Sequence, residues 1–386
     1  MRQDGILSGL RVVEHCSGVA GAWAGRLLAA LGAEVILIEP PGGLELRRRA
    51  PLFDNGSSAL FAYVAAGKRS VICDLSGREG QGQLLALLES ADIFIDDTPV
   101  AERRALGLKP EALAASHPGL VYLSVLPFGA VGPKAGWKGE EVNLIHAGGE
   151  GYLLPNGLSA DLFPERPPLK IAGHFAEMQG GTAAALAGLA ALWSGTGQFV
   201  DASTQEANVA VGCFALQRFG DGSVEHRLTR SFRFGGVIEC ADGHVELLTL
   251  EERQWQGLLD LMGRPEWSRD PALDDVVERS ARGDEINRAI RAWARGQNVD
   301  DLVARAQEKG VPMARYNTPA QVLAGPHEQA RGIFQRQCLP GVGEVSVQAA
   351  PFRIGEAPPR CAGPAPVAGA DQHLIARHGT ERKVTA

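Results

Sequence analysis

RVVEHCSGVAGAWAGRLLAALGAEVILIEPPGG, residues 11 to 43, decides the fold. RVVEH (11–15) is a short β-rich run. GAWAGRLLAALG (21–32) carries apolar residues at helical spacing and stops at Gly32, and EVILIE (34–39) is a second β-rich run. Two strands joined through a helix pair in parallel, because a chain that crosses back over a sheet face cannot form a tight hairpin.

Working outward, the unit repeats. SVICDL (70–75), the helical QGQLLALLESA (81–91), DIFID (92–96) and LVYLSVL (120–126) continue the alternation, which predicts an α/β fold with a doubly wound parallel sheet. Ligands of such sheets sit beyond the carboxyl ends of the strands. The loops that begin there are CSGVAG (16–21), PPGGLELRRR (40–49), SGRE (76–79) and DTPVAERR (97–104). None is a G-x-G-x-x-G or a phosphate-binding P-loop, which disfavours a dinucleotide or ATP enzyme.

From Ala176 to Trp193 the chain reads as a helix rich in small residues, followed by the turn SGTGQ (194–198), a strand FVDAS (199–203) and a helix from Gln205 to about Phe219. GDGSVEHRLTRSFRFGG (220–236) is polar and Gly-rich, a linker. VIECADGHVELLTL (237–250) reads as a hairpin with an A-D-G turn, and helical segments follow around 251–262, 284–295 and 299–309. After GVPMARYNTPAQVL (310–323) strand and loop return, and the tail from Glu356 is rich in Pro and Ala. The division expected is a large domain over 1–219 completed by 325–386, with a small α+β domain over 220–324.

Composition narrows the function. A chain of 386 residues suits two domains, and a net charge of −7 gives no general attraction to nucleic acid or anionic membrane. Any phosphate must be held by a local basic cluster. The six cysteines (16, 73, 213, 240, 338, 361) form no C-x-x-C pair, and neither they nor the nine histidines show metal-ligand spacing, so no metal is expected. Charges stand where a signal peptide needs an apolar core, and the run Thr182–Trp193 is too short to span a bilayer, so a soluble cytoplasmic protein is expected.

There is no G-x-S-x-G elbow and no cysteine in a basic, glycine-rich setting. What remains is one carboxylate, Glu177, in GHFAEMQGG (173–181). Two readings are open. An acid in the first turn of a helix meets unpaired N–H groups and the positive end of the dipole. A carboxylate in a desolvated, apolar site can instead act as a covalent nucleophile.

LSGLRVVEH (7–15), LGAEVILIEPPGG (31–43), GKRSVICDL (67–75), ADIFIDD (91–97), LVYLSVLPFGAVGP (120–133), TGQFVDASTQEA (196–207), DGHV (242–245) and GVP (310–312), in that order, resemble the family III CoA-transferases. The resemblance covers nearly the whole chain. It implies a Rossmann-like large domain built from both chain ends with an inserted smaller α+β domain, an interlocked dimer, and coenzyme A as substrate. It also implies an aspartate that attacks a donor acyl-CoA, an enzyme-bound CoA thioester, and a carboxylic acid as acceptor.

Aligning the family's A-D-x-x-x-G onto Ala176–Gly181 puts Glu177 at the nucleophile position, one methylene longer than the family acid. The resemblance places CoA along Gly18 and Val19 after the first strand, Cys73, Leu75 and Ser76 after the third, Asp97 and Thr98 after the fourth, and Lys138, a family contact position, with Glu140 in GWKGEE (136–141). The basic residues able to meet its phosphates are Arg47, Arg48, Arg49, Lys68, Arg104 and Lys138. Arg48 and Arg49 stand beside Arg47. A glutamine common in the family is replaced by Val19, and an arginine by Ala105.

Two alternatives come with the resemblance. One is a non-catalytic subunit paired with a family paralogue, so the assembly expected is a homodimer or a heterodimer. The other is an α-methylacyl-CoA racemase relative. Its G-H-D motif falls on Gly139–Glu141, which has no histidine, and neither His146 nor His174 occupies that position.

Overall fold

β1 (Arg11–His15) and β2 (Glu34–Glu39) pair in parallel, Arg11 opposite Glu34 and Val13 opposite Ile36, and the helix Val19–Ala30 makes the crossover between them. The structure, a computed structural model, describes residues 5–154, 165–167, 170–212, 234–355 and 363–376. Most of the expected linker 220–236, the distal half of the helix expected over 205–219 and much of the tail after Glu356 lie outside those residues.

Adding β3 (Arg69–Ile72), β4 (Ile93–Asp96), β5 (Val121–Leu126) and β6 (Phe199–Ser203) gives a six-stranded sheet in the order β3-β2-β1-β4-β5-β6, every neighbouring pair parallel. This is the doubly wound order of Rossmann folds. The direction of strand addition reverses between β1 and β4, so their carboxyl ends border the crevice in which such sheets bind ligands.

The alternation of side chains along each strand sends neighbours to opposite faces. Val12, Ile93, Ile95, Val121 and Leu123 pack with Ala24, Leu28, Ala184 and Ala191 on one face. Val13, Ile36, Ile38, Phe94 and Tyr122 pack with Leu84 and Leu87 on the other. Both faces are covered, and for that reason the strands read as nearly unbroken apolar runs.

The long helix Phe175–Trp193 lies close against the helix Val19–Ala30 because its small residues admit backbone. A Cβ on Gly181 would collide with the Ala20 carbonyl, and one on Gly180 with the Thr204 side chain at the start of the helix Thr204–Val211. The density of Gly and Ala in this segment is thus a packing requirement.

The free edge of β3 is closed by the C-terminal segment. Asp371 N–H donates to Ser70 O at 2.9 Å, Ser70 N–H donates to Asp371 Oδ2 at 3.0 Å, and the Gln372 amide bonds both the N–H and the carbonyl of Ile72. Covering an edge in this way removes a template for pairing with another chain.

By contacts the chain divides into two units, Met1–Gly151 with Lys170–Phe214 and Pro326–Ala386, and Tyr152–Leu169 with Ala215–Gly325. The first holds the sheet and an antiparallel hairpin of β10 (Phe334–Leu339) and β11 (Gly343–Gln348). The second holds β7 (Gly236–Glu239), β8 (His244–Leu247) and β9 (Met313–Arg315) in an antiparallel sheet, with the turn between β7 and β8 at Ala241–Gly243. Its helices Glu252–Leu261, Gly283–Ala294 and Val299–Glu308 bury Trp255, Leu258, Ile286, Ile290 and Leu302 around Val245 and Leu247. No helix among the described residues is long and apolar enough to cross a membrane.

Two glycine substitutions separate packing from propensity. Gly181→Ala forces backbone apart at the helix contact and is expected to lower stability by about 1–3 kcal/mol. Gly82→Ala, in the helix Arg78–Leu88 with open space at its Cβ position, is expected to raise stability by roughly 0.5–1 kcal/mol. Urea unfolding of both variants reads the contrast, and equal effects would contradict the close-packing assignment.

Candidate active site

At the reversal point, the loop leaving β1 is tied to the end of β4. The Asp97 carboxylate accepts N–H bonds from Ser17 at 3.0 Å and Gly18 at 2.6 Å, which holds Gly18 as the extended N-cap residue of the helix Val19–Ala30. Burial pushes the Asp97 carboxyl up to about 6, with the N–H bonds opposing and Asp96 adding to the rise. Beside it, Thr98 Oγ1 donates to Asp96 Oδ1 at 2.6 Å, and Tyr122 OH donates to Asp96 Oδ2 at 2.8 Å. Val19 is fully buried among Leu37, Leu44, Leu60 and Phe61, so its side chain belongs to the core.

Two of the basic residues expected at phosphates are committed elsewhere. The Lys68 ammonium is fully buried, 2.7 Å from both Glu14 oxygens and 2.7 Å from the Ala22 carbonyl that it also bonds. Gly25 leaves the space that the Glu14 carboxylate occupies. Arg47 binds Glu39 through Nε at 2.6 Å, donates to Pro366 O at 3.1 Å, and lies over the Phe61 ring at 4.2 Å. Removing charge from water is compensated only by such close pairing, which ties both cations to the framework.

Among the described residues, Arg48, Arg104 and Lys138 are exposed and have no acidic partner. Of the basic residues expected at the phosphates, these are the ones without an acidic partner. Arg49 pairs with Glu140 at 3.1 Å, and Glu140 also caps the helix Glu141–Ala147 through a reciprocal bond with Asn143. Cys73 and Leu75 are core residues that pack with Leu84. Burial pushes the Cys73 thiol up to about 11, with Asp74 adding to it, which leaves the sulfur unreactive as a nucleophile. Ser76 is exposed and donates to Asp74 Oδ1 at 2.6 Å.

Glu177 lies in the first turn of the long helix and is 6% exposed. Its carboxylate does not cap that helix. Glu141, buried and 36 residues earlier, does so: Oε1 accepts the Ala176 N–H at 3.1 Å and Oε2 the Glu177 N–H at 3.0 Å. The Glu177 side chain turns instead to His174, whose Nδ1 lies 2.6 Å from Oε2. Among the described residues, Oε1 has no hydrogen bond. One donor atom from each of Glu141, His174 and Glu177 lies within 4.8 Å of the other two. Two carboxylates and an imidazole can take a divalent cation, but both Glu141 oxygens already serve the helix terminus, so the cluster reads as a cap plus an acid–base pair.

Sequence reasoning found Glu177 but not its two neighbours. The i, i+3 spacing of His174 and Glu177 was a usable signal, since residues so spaced share a helix face. Glu141 had no local signal, because its partners are backbone groups far along the chain.

The family model for CoA-transferase family III matches residues 7–372. A probable CoA-transferase of Mycobacterium tuberculosis is 32% identical over 94% of this chain, and the chain spans 46% of that relative's length. A succinate–glutarate CoA-transferase of Agrobacterium fabrum is 30% identical, over 85% of this chain and 84% of its own. Among solved structures, a CaiB/BaiF family protein of Brucella suis matches with a TM-score of 0.82 at 28% identity, over 97% of this chain and 99% of its own.

The buried pair beneath this site has a pH signature. Glu14 titrates near 7, above its usual 4.5, because burial outweighs the attraction of Lys68. An acid whose folded pKa is raised contributes stability below its unfolded pKa and loses it as pH rises through the folded one. Lys68→Met removes the counter-charge and raises Glu14 further. The variant is expected to lose about 3–5 kcal/mol near pH 8 and much less near pH 5, measured by urea unfolding. A loss independent of pH would contradict the pairing.

Proposed function

We propose, on the premise that this chain belongs to CoA-transferase family III, that it moves CoA from an acyl-CoA donor to a carboxylic acid acceptor through a covalent intermediate on Glu177. The observation that carries this reading is the division of labour at the long helix. Glu141 takes the N–H groups of Ala176 and Glu177, and among the described residues Glu177 Oε1 has no hydrogen bond. A carboxylate oxygen held by no other group is available for attack on a thioester carbonyl.

The steps balance without an external base. Glu177 Oε1 adds to the thioester carbonyl carbon, the C–S bond breaks, and CoA leaves as thiolate, giving a mixed anhydride. The thiolate attacks the glutamyl carbonyl, the donor acid leaves as carboxylate, and CoA is held as a glutamyl thioester. The acceptor carboxylate attacks that thioester, again expelling the thiolate. The thiolate then takes the acceptor acyl carbon, and the Glu177 carboxylate is regenerated. No proton is gained or lost overall.

For CoA itself, the exposed Arg48, Arg104 and Lys138 would meet the phosphates, near Gly18, Ser76, Asp97 and Thr98 at the strand ends. The direct contact between His174 and Glu177 weighs against a racemase. Proton carriers in that reaction must face each other across the substrate, whereas these two bond to each other. The name of the Agrobacterium relative makes a short dicarboxylic acyl-CoA such as succinyl-CoA the first donor to test. The Val19 and Ala105 replacements support a second reading, a non-catalytic subunit that binds CoA without transferring it. Cys16, Cys73, Cys240 and Cys338 are free thiols, which supports a reducing, cytoplasmic setting.

An interlocked dimer belongs to the same proposal. Ala183, Leu186, Ala190 and Trp193 line one exposed side of the long helix, with Trp193 at 93% and Leu186 at 70% exposure. An apolar stripe of this kind is usually covered by a partner. Sedimentation at micromolar concentration is expected to show no monomer, and a stable folded monomer would overturn the arrangement.

The catalytic reading is tested with succinyl-CoA and hydroxylamine, which should leave a hydroxamate at Glu177, located by peptide mass. Glu177→Ala is expected to reduce transfer by at least about 10³-fold while CoA affinity, measured by calorimetry, changes little. CoA binding with no hydroxamate and no transfer for any acyl-CoA would favour the non-catalytic subunit.

A further inference from the structure

We infer that His174 is a positioning residue for Glu177, and that the His174 hydrogen bond is what fits the longer acid to the nucleophile's place. The inference rests on the covalent reading of Glu177 given above. Compared with an aspartate, Glu177 has one more rotatable bond and a carboxylate displaced by about 1.5 Å. A misplacement of roughly 1 Å in a reacting group can cost about 10²-fold in rate, so a glutamate here requires something that fixes its carboxylate.

The structure supplies it from one turn of chain. His174 is the residue immediately before the long helix, with φ −116° and ψ 49°, and its side chain makes no capping bond to the helix backbone. Relieved of capping by Glu141, the imidazole is free to hold the acid: Nδ1 lies 2.6 Å from Glu177 Oε2, the oxygen opposite Oε1, which has no hydrogen bond among the described residues. His174 backbone O accepts the Met178 N–H at 2.9 Å, so the ring is anchored to the same helical turn as the carboxylate it holds. One oxygen is thereby fixed and the other presented. The cooperating set is Glu141 for the backbone, His174 for Oε2 and Glu177 Oε1 for the thioester.

Three variants and one spectrum test this. His174→Leu removes the donor and is expected to lower kcat about 10–100-fold with KM for the acyl-CoA within about twofold. His174→Asn places an amide N–H where Nδ1 stood and should recover most of the rate. In a Glu177→Asp background the shorter acid cannot reach the imidazole, so adding His174→Leu should change kcat by less than about twofold, the signature of a residue that acts only through the extended carboxylate. Independently of turnover, proton NMR should show a downfield imidazole N–H resonance that Glu177→Ala, which removes the acceptor, abolishes. Full activity in His174→Leu, equal impairment in His174→Asn and His174→Leu, or a missing resonance would each overturn the positioning role. Full transfer by Glu177→Ala would instead remove the covalent reading on which it stands.

Discussion

The bond set between the Glu141 carboxylate and the N–H groups of Ala176 and Glu177 is the interaction on which the candidate site depends. A helix terminus carries unpaired donors and partial positive charge, and the nearest acid ordinarily satisfies them. If Glu177 did so, its carboxylate would be folded back on the backbone and stabilised there. Because a distant glutamate takes that duty, the first-turn acid is left with one oxygen on His174 and one with no hydrogen bond among the described residues.

That arrangement is possible only because backbone comes close to backbone. Gly181 against the Ala20 carbonyl and Gly180 against Thr204 bring the start of the long helix next to two neighbouring helices, and any larger residue would push it away. Gly25 plays a similar part deeper in, where its missing Cβ leaves room for the Glu14 carboxylate and hence for the buried bond to Lys68. In each case the glycine admits a polar group or a carbonyl into a place that would otherwise be apolar core.

Charge is sorted by the same geometry. Lys68 and Arg47 hold the framework together through Glu14 and Glu39, while Arg48, Arg104 and Lys138 stay exposed without acidic partners among the described residues. Buried pairs of this kind contribute little net stability relative to apolar replacements but are costly to break by halves, which suits them to fixing a loop's position. In an acidic protein, the unpaired exposed cations are the ones able to attract an anionic ligand locally.

The alternation RVVEH, helix, EVILIE was enough to determine a parallel α/β sheet, because a period of two and a period of 3.6 are local properties of the chain. The same is true of the A-D-G hairpin and of Glu177 as the acid at the mouth of a small-residue helix. The strand order about the reversal point was not legible, nor was the burial of Lys68, nor the choice of Glu141 over Glu177 as cap. A list of basic residues in loops cannot distinguish Lys68, sealed against Glu14, from Lys138, open to solvent, since both are simply lysines beside glycines. Only the tertiary structure decided these, because each depends on which groups from far along the chain arrive first at a donor or a charge, and burial makes an unmatched polar group too costly to leave alone.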